Sequence, residues 1–87
     1  MVMTEKEIFA GLVTTLAEFA DVPADIVTPE ADLASDLSVD SLSMVEIITS
    51  AQDRFGIEIP DEDLKYLVTV RDVVSYVRRV QSESISA

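Results

Sequence analysis

Three stretches of this chain repeat apolar residues every three or four positions, and that spacing restricts it to a bundle of helices. The first stretch opens at Thr4, where Thr4 and Glu7 form a capping box that satisfies free N–H groups of a first turn. Ile8, Leu12, Leu16 and Phe19 then recur, with Phe9, Val13 and Ala20 beside them, until Pro23 stops the pattern. The second stretch runs from Asp40, a good N-cap, to about Phe55, with Gly56 placed as its C-terminal stop. Met44, Ile47, Ile48, Ala51 and Phe55 share one side of it. The last stretch starts at Thr69 and Asp72 and lines one face with Val70, Val73, Val74, Val77 and Val80. Between the second and third, Ile57 to Pro60 is extended, and Pro60 followed by Asp61, Glu62 and Asp63 opens a short helix anchored by Leu64 and Leu67. The expected fold is therefore all-α: a four-helix bundle of three long helices and one short. Residues 21–39 form a long loop between the first two helices, with Val22, Ile26, Leu33 and Leu37 spaced to pin it down.

Length and composition narrow the chemistry. The 87 residues make one domain, 1–87, with 82–87 expected to fray. There is no Cys, hence no disulfide and no thiolate, and no His, which removes the commonest general base and metal ligand. No catalytic and no metal-binding set is expected. No apolar run approaches a membrane span, and the first residues carry neither a basic region nor an apolar core of a secretory signal. No membrane insertion is expected, and the cytoplasm is the expected location. The formal net charge is −11, which argues against nucleic acid as a partner. No Lys or Arg occurs between Lys6 and Arg54. Such a face keeps a small protein in solution, and it also suits basic partners.

The second helix carries an apolar excess. On a wheel of about 100° per residue, Leu42, Val45, Glu46, Thr49 and Asp53 fall opposite the core stripe. Scattered surface apolar residues are ordinary. Here Leu42 and Val45 lie beside acids and close to Ser41, as a docking surface would. Ser41 is the first residue of the helix, where unpaired N–H groups and the dipole favour an anion such as phosphate. It has nothing to activate it as a nucleophile: the next Lys, Lys65, is 24 residues further on. Ser41 is thus either a plain helix-start residue or a site modified by another enzyme.

The run Asp36-Leu37-Ser38-Val39-Asp40-Ser41-Leu42 resembles the D-L-x-x-D-S-L signature of acyl carrier proteins. The resemblance continues through Met44-Val45-Glu46-Ile47, through Phe55 to Leu64, and through Thr69 to Val74. It is most like the discrete fatty-acid-synthase carriers of actinobacteria. It implies a covalent 4′-phosphopantetheine on Ser41, installed by a phosphopantetheinyl transferase, with acyl groups held as thioesters on its thiol. Asp40 matches the motif position tied to the transferase encounter and its Mg²⁺. Leu42, Val45 and Glu46 match positions that partners read, and Thr49 and Asp53 extend the same face. The implied partners are that transferase, an acyltransferase, a ketosynthase and other synthase enzymes with basic docking patches, met by a monomer. Thr49 departs from the pattern, being smaller than the apolar residue many members carry there, and Arg54 adds a base to an acidic helix. Ala51, small for its core position, leaves space between the second helix and the segment of Leu64 and Leu67, and is the expected point of entry for an acyl chain.

Other readings keep less of the sequence. A carrier for polyketide or other specialised acyl chemistry would have the same fold and the same Ser41. A peptidyl carrier usually shows Gly-Gly before the His/Asp-Ser pair, whereas Val39 precedes Asp40 here. A calcium loop begun at Asp36 would put Ser41 and Ile47 where Gly and Glu are required. An acidic interaction protein without an arm would account for the charge but not for the Ser41 context.

Overall fold

The computed structural model describes the backbone of residues 3–86 and the side chains of residues 3–83. Three α-helices, α1 (Glu5–Ala20), α2 (Ser41–Phe55) and α3 (Val70–Ser86), pack together, and two 3₁₀ turns, Ala24–Ile26 and Asp61–Tyr66, lie in the connections. The short fourth helix of the sequence reading is the second of these turns. The fraying expected over 82–87 falls partly outside the described residues: α3 runs to Ser86, and Ala87 is not described.

The helix ends form where local chemistry places them. Thr4 Oγ1 accepts from the Glu7 N–H at 3.1 Å, and Glu7 Oε1 accepts from the Thr4 N–H at 2.9 Å. Thr69 and Asp72 repeat this reciprocal pair at α3: the Thr69 N–H donates to Asp72 Oδ2 at 2.9 Å and the Asp72 N–H to Thr69 Oγ1 at 3.2 Å. Gly56 ends α2 at φ +65°, a left-handed turn that costs glycine little.

The core is a single apolar cluster. Ile8, Leu12 and Leu16 of α1 meet Ile47, Ile48, Ala51 and Phe55 of α2 and Val70, Val73, Val74 and Val77 of α3. Met44 and Leu64 are half-buried against it, and Leu67 is buried. The α1–α2 contact is close at Gly11, where an added Cβ would stand 2.9 Å from Phe55 Cε1. Among the described residues, no buried side-chain polar atom lacks a hydrogen-bond partner. Thr15, fully buried, donates its hydroxyl to the Gly11 carbonyl at 2.9 Å. The Gln81 amide donates to the Phe55 carbonyl and accepts from the Met3 N–H, both at 3.0 Å, tying together the ends of all three helices.

Two expectations need correction. Phe19 has the right angle for the α1 stripe but is 40% exposed, because the last turn of α1 stands beside the outer flank of α2 rather than over the core. Ile26 does not pin the long loop: it is 47% exposed, and the 3₁₀ turn brings Val27 inward instead. Val22, Leu33 and Leu37 are buried as expected, joined by Ala31 and Val39. The loop is further held to the start of α3 by an isolated antiparallel bridge between Asp32 and Thr69, with the Leu33 N–H on the Val68 carbonyl at 2.9 Å and the Val70 N–H on the Ala31 carbonyl at 3.0 Å.

Candidate functional site

The long loop delivers Ser41 to the surface. Asp32 Oδ1 accepts from the N–H groups of Ala34 and Ser35, and the Leu37 N–H returns to the Asp32 carbonyl. Ser38 takes a left-handed conformation at φ 56°, which turns the chain so that Val39 buries its side chain and donates its N–H to the Leu33 carbonyl at 2.9 Å. Asp40 then caps α2, its Oδ1 accepting from the Ser43 N–H at 2.8 Å. The carboxyl is held below its usual range, first by that N–H, then by the Ser43 hydroxyl and more weakly by the Leu42 N–H, with slight desolvation pulling the other way. A fixed negative charge therefore sits beside Ser41 at neutral pH.

Ser41 and Ser43 flank Leu42 but differ in availability. The Ser43 side chain is half-buried and its hydroxyl is engaged by Asp40. Ser41 is exposed, and its hydroxyl has no side-chain partner among the described residues. It opens directly onto a mainly apolar cavity of about 340 Å³ formed by the loop (Leu33, Ala34, Val39), Met44 of α2, and Leu64, Leu67 and Val68. An ester formed on that oxygen needs no displacement of protein atoms, and an apolar chain tethered to it meets an apolar surface within reach. The residues thus fit a covalent arm with an apolar cargo. A recess of similar size between α1 and α3, by Phe9 and Arg71, holds none of the residues singled out in α2.

The cavity is not where Ala51 pointed. Ala51 is fully buried, packed into the core, and takes no part in lining the space beside Ser41. The opening lies about two turns nearer the start of α2, at Met44, where loop residues Leu33, Ala34 and Val39 face Leu64, Leu67 and Val68. Sequence spacing gives which residues share a helix face but not where a loop and a 3₁₀ turn leave a gap above it. Leu33, Val39 and Val68 are lining residues that the sequence reading did not single out for this role.

The outward face of α2 is as anticipated. Leu42 is 72% and Val45 56% exposed, and Glu46, Thr49 and Asp53 are exposed alongside them. The Thr49 hydroxyl donates back to the Val45 carbonyl at 2.9 Å, which occupies its proton within the helix. Arg54, the one base of α2, is bound to Glu18 of α1 at 3.0 Å. Neither Glu46 nor Asp53 is ion-paired among the described residues. The face combines exposed apolar side chains with uncompensated carboxylates. Among the described residues there is also no cluster of three or more acids, His or Cys able to hold a metal ion, and no helix long and apolar enough to cross a membrane.

The chain is similar to known proteins in sequence and in fold. The family described as "Phosphopantetheine attachment site" matches residues 10–77. An acyl carrier protein of Thermobifida fusca is 54% identical over 79 residues, 91% of this chain and the whole of that one. A meromycolate extension acyl carrier protein of Mycolicibacterium smegmatis is 45% identical over 87 residues, all of this chain and 88% of its own. Among solved structures, an acyl carrier protein from Enterococcus faecalis superposes with a TM-score of 0.75 at 33% identity, covering 90% of this chain and 99% of that one.

Proposed function

This chain belongs to the acyl carrier protein family, and from that premise we propose that Ser41 is the residue that bears its covalent 4′-phosphopantetheine. The protein is a carrier and not an enzyme, and its family works with the enzymes of fatty-acid synthesis. When attached, the arm supplies a thiol that holds acyl groups as thioesters. The observation that carries the assignment is the availability of Ser41: an exposed hydroxyl with no protein partner, at the first residue of α2 and on the rim of an apolar cavity.

The roles of the neighbours follow from their positions. Asp40 fixes the start of α2, and its ionised carboxylate offers a charge to the Mg²⁺ that a phosphopantetheinyl transferase brings. Leu42, beside Ser41, gives the incoming enzyme an apolar contact. The cavity of Met44, Leu64 and Leu67 shelters the first part of a tethered acyl chain, which recovers roughly 0.8 kcal/mol for each CH₂ removed from water. Leu42, Val45, Glu46, Thr49 and Asp53 form the face that an acyltransferase, a ketosynthase and other synthase enzymes dock on through basic patches. We place the carrier in the cytoplasm as a monomer serving fatty-acid synthesis, a reading supported by the mycobacterial relative named for meromycolate extension. A polyketide or other specialised pathway would use the same site.

The test is to incubate the protein with a phosphopantetheinyl transferase, Mg²⁺ and coenzyme A, and to map the added mass by fragmenting the peptide that spans α2. The mass is expected on Ser41. Placement on Ser38 or Ser43 contradicts the assignment.

A further inference from the structure

Phe19 was expected in the core and instead lies 40% exposed at the end of α1, against the outer flank of α2. There it shares a groove of about 330 Å³ with Val45, Glu46, Thr49, Ser50 and Asp53. The lining is mostly apolar in character: a phenyl ring from one helix, the Val45 side chain from the other, and Thr49, whose hydroxyl proton is bound to the Val45 carbonyl. Its charged edge is one-signed. Glu46 and Asp53 have no cationic partner among the described residues, while Glu18 and Arg54 near it cancel each other. The groove is continuous with the α2 docking face, because Val45, Glu46, Thr49 and Asp53 belong to both. Its α2 residues lie four to twelve positions along the helix from Ser41, about 6–18 Å at 1.5 Å per residue. The α1–α2 approach that builds it is set by Gly11, which leaves room for Phe55 to hold the two helices together.

We propose that this groove is a second contact of the docking face, with Phe19 its anchor, and that its occupant is an apolar side chain flanked by Lys or Arg on a ketosynthase. The proposal rests on the carrier reading above. An apolar floor with two free carboxylates at its edge matches an apolar side chain between two cations and repels an acidic surface. Aromatic side chains in such positions dominate interface energetics, because they remove a large apolar area from water at a small entropy cost. Phe19 thereby makes α1 part of the partner-reading surface, beyond the helix that carries the arm. An enzyme that contacts only the neighbourhood of Ser41 leaves the groove empty.

The experiment uses the full chain, loaded with its arm and an acyl group, as substrate of a fatty-acid-synthase ketosynthase. Initial rates are measured against carrier concentration for the parent, Phe19→Ala, Phe19→Leu and Glu46→Lys. A melting curve of each reports the fold, and Phe19→Gln serves if Phe19→Ala melts early. Phe19→Ala is expected to raise KM about fivefold to tenfold with kcat unchanged, the loss of one aromatic anchor. Phe19→Leu is expected to keep most of the parent KM, and arm attachment by the transferase is expected to be unaltered in both. If KM for Phe19→Ala stays within about twofold of the parent while Glu46→Lys raises it, the groove is not a contact and the α2 docking face stands. If neither substitution moves KM, the docking face itself fails, and the groove with it. An equal loss with the transferase also overturns the proposal, since that enzyme needs to reach only Ser41.

Discussion

Tyr76 shows how one side chain can hold the wall of the cavity. Its ring is buried on α3, and its hydroxyl donates to Asp63 Oδ2 at 2.7 Å, so it fastens the 3₁₀ turn that carries Leu64. Burial, and then the hydrogen bond to Asp63, push the Tyr76 phenol up to about 12 from 10.0. A raised phenol pKa favours the neutral form in the folded chain. The resulting stability is complete below pH 10.0 and is lost as pH rises towards about 12. In a Tyr66→Phe background, phenolate absorbance is expected to report Tyr76 titrating well above an ordinary tyrosine, with unfolding setting in over that window. Tyr76→Phe should remove the link to Asp63 and cost about 1–2 kcal/mol in denaturant melts. Titration of Tyr76 in the ordinary range would show that the ring is not buried and the hydroxyl not held by Asp63. Nothing in the valine stripe of α3 signalled this residue, because its role depends on a turn 13 positions earlier in the chain.

At the scale of elements, the contact between α1 and α2 depends on Gly11. Replacing it with Ala would gain helix propensity, about 0.5–1 kcal/mol. It would also place a Cβ 2.9 Å from Phe55 Cε1 and 3.0 Å from Cζ, where the ring is buried and has little freedom to move. Overpacking of this kind costs about 1–3 kcal/mol, so the net effect is destabilising. Gly11→Ala is expected to lower the melting temperature, and a rise would mean that the helices can separate freely at this point. The elements themselves were legible in the sequence. Thr4 with Glu7, Asp40, Gly56, and Thr69 with Asp72 mark helix ends through bonds spanning three or four residues, which local chemistry decides. What was not legible is tertiary. Phe19 has the angle of Leu12 and Leu16 but lies past the edge of the core, and Ile26 is turned out by a 3₁₀ turn that no spacing announced. Ala51 looked like a gap and is filled. The gap beside Ser41 is bounded by Leu33, Ala34 and Val39 of the loop, by Met44 and by Leu64, Leu67 and Val68, residues that only the tertiary fold brings together.

For the whole molecule, charge acts on folding and docking with opposite signs. The net charge is −11, and Arg54, Arg71, Arg78 and Arg79 are each occupied by an acid. The remaining carboxylates repel one another across a small bundle with a radius of gyration of 12.0 Å. Raising salt from about 0.01 to 0.15 M shortens the screening length from about 30 to 8 Å. It is therefore expected to raise the melting temperature while weakening association with basic partners. A melting temperature that falls with salt would mean that the four ion pairs outweigh the repulsion. The same surface leaves Ser41 free, and its availability is the centre of the account. The direct measurement is the intact mass of parent and Ser41→Ala after incubation with transferase, Mg²⁺ and coenzyme A, with circular dichroism of each. The parent is expected to gain one arm, and Ser41→Ala none, at equal helicity. A well-folded Ser41→Ala that still gains the arm would contradict the account.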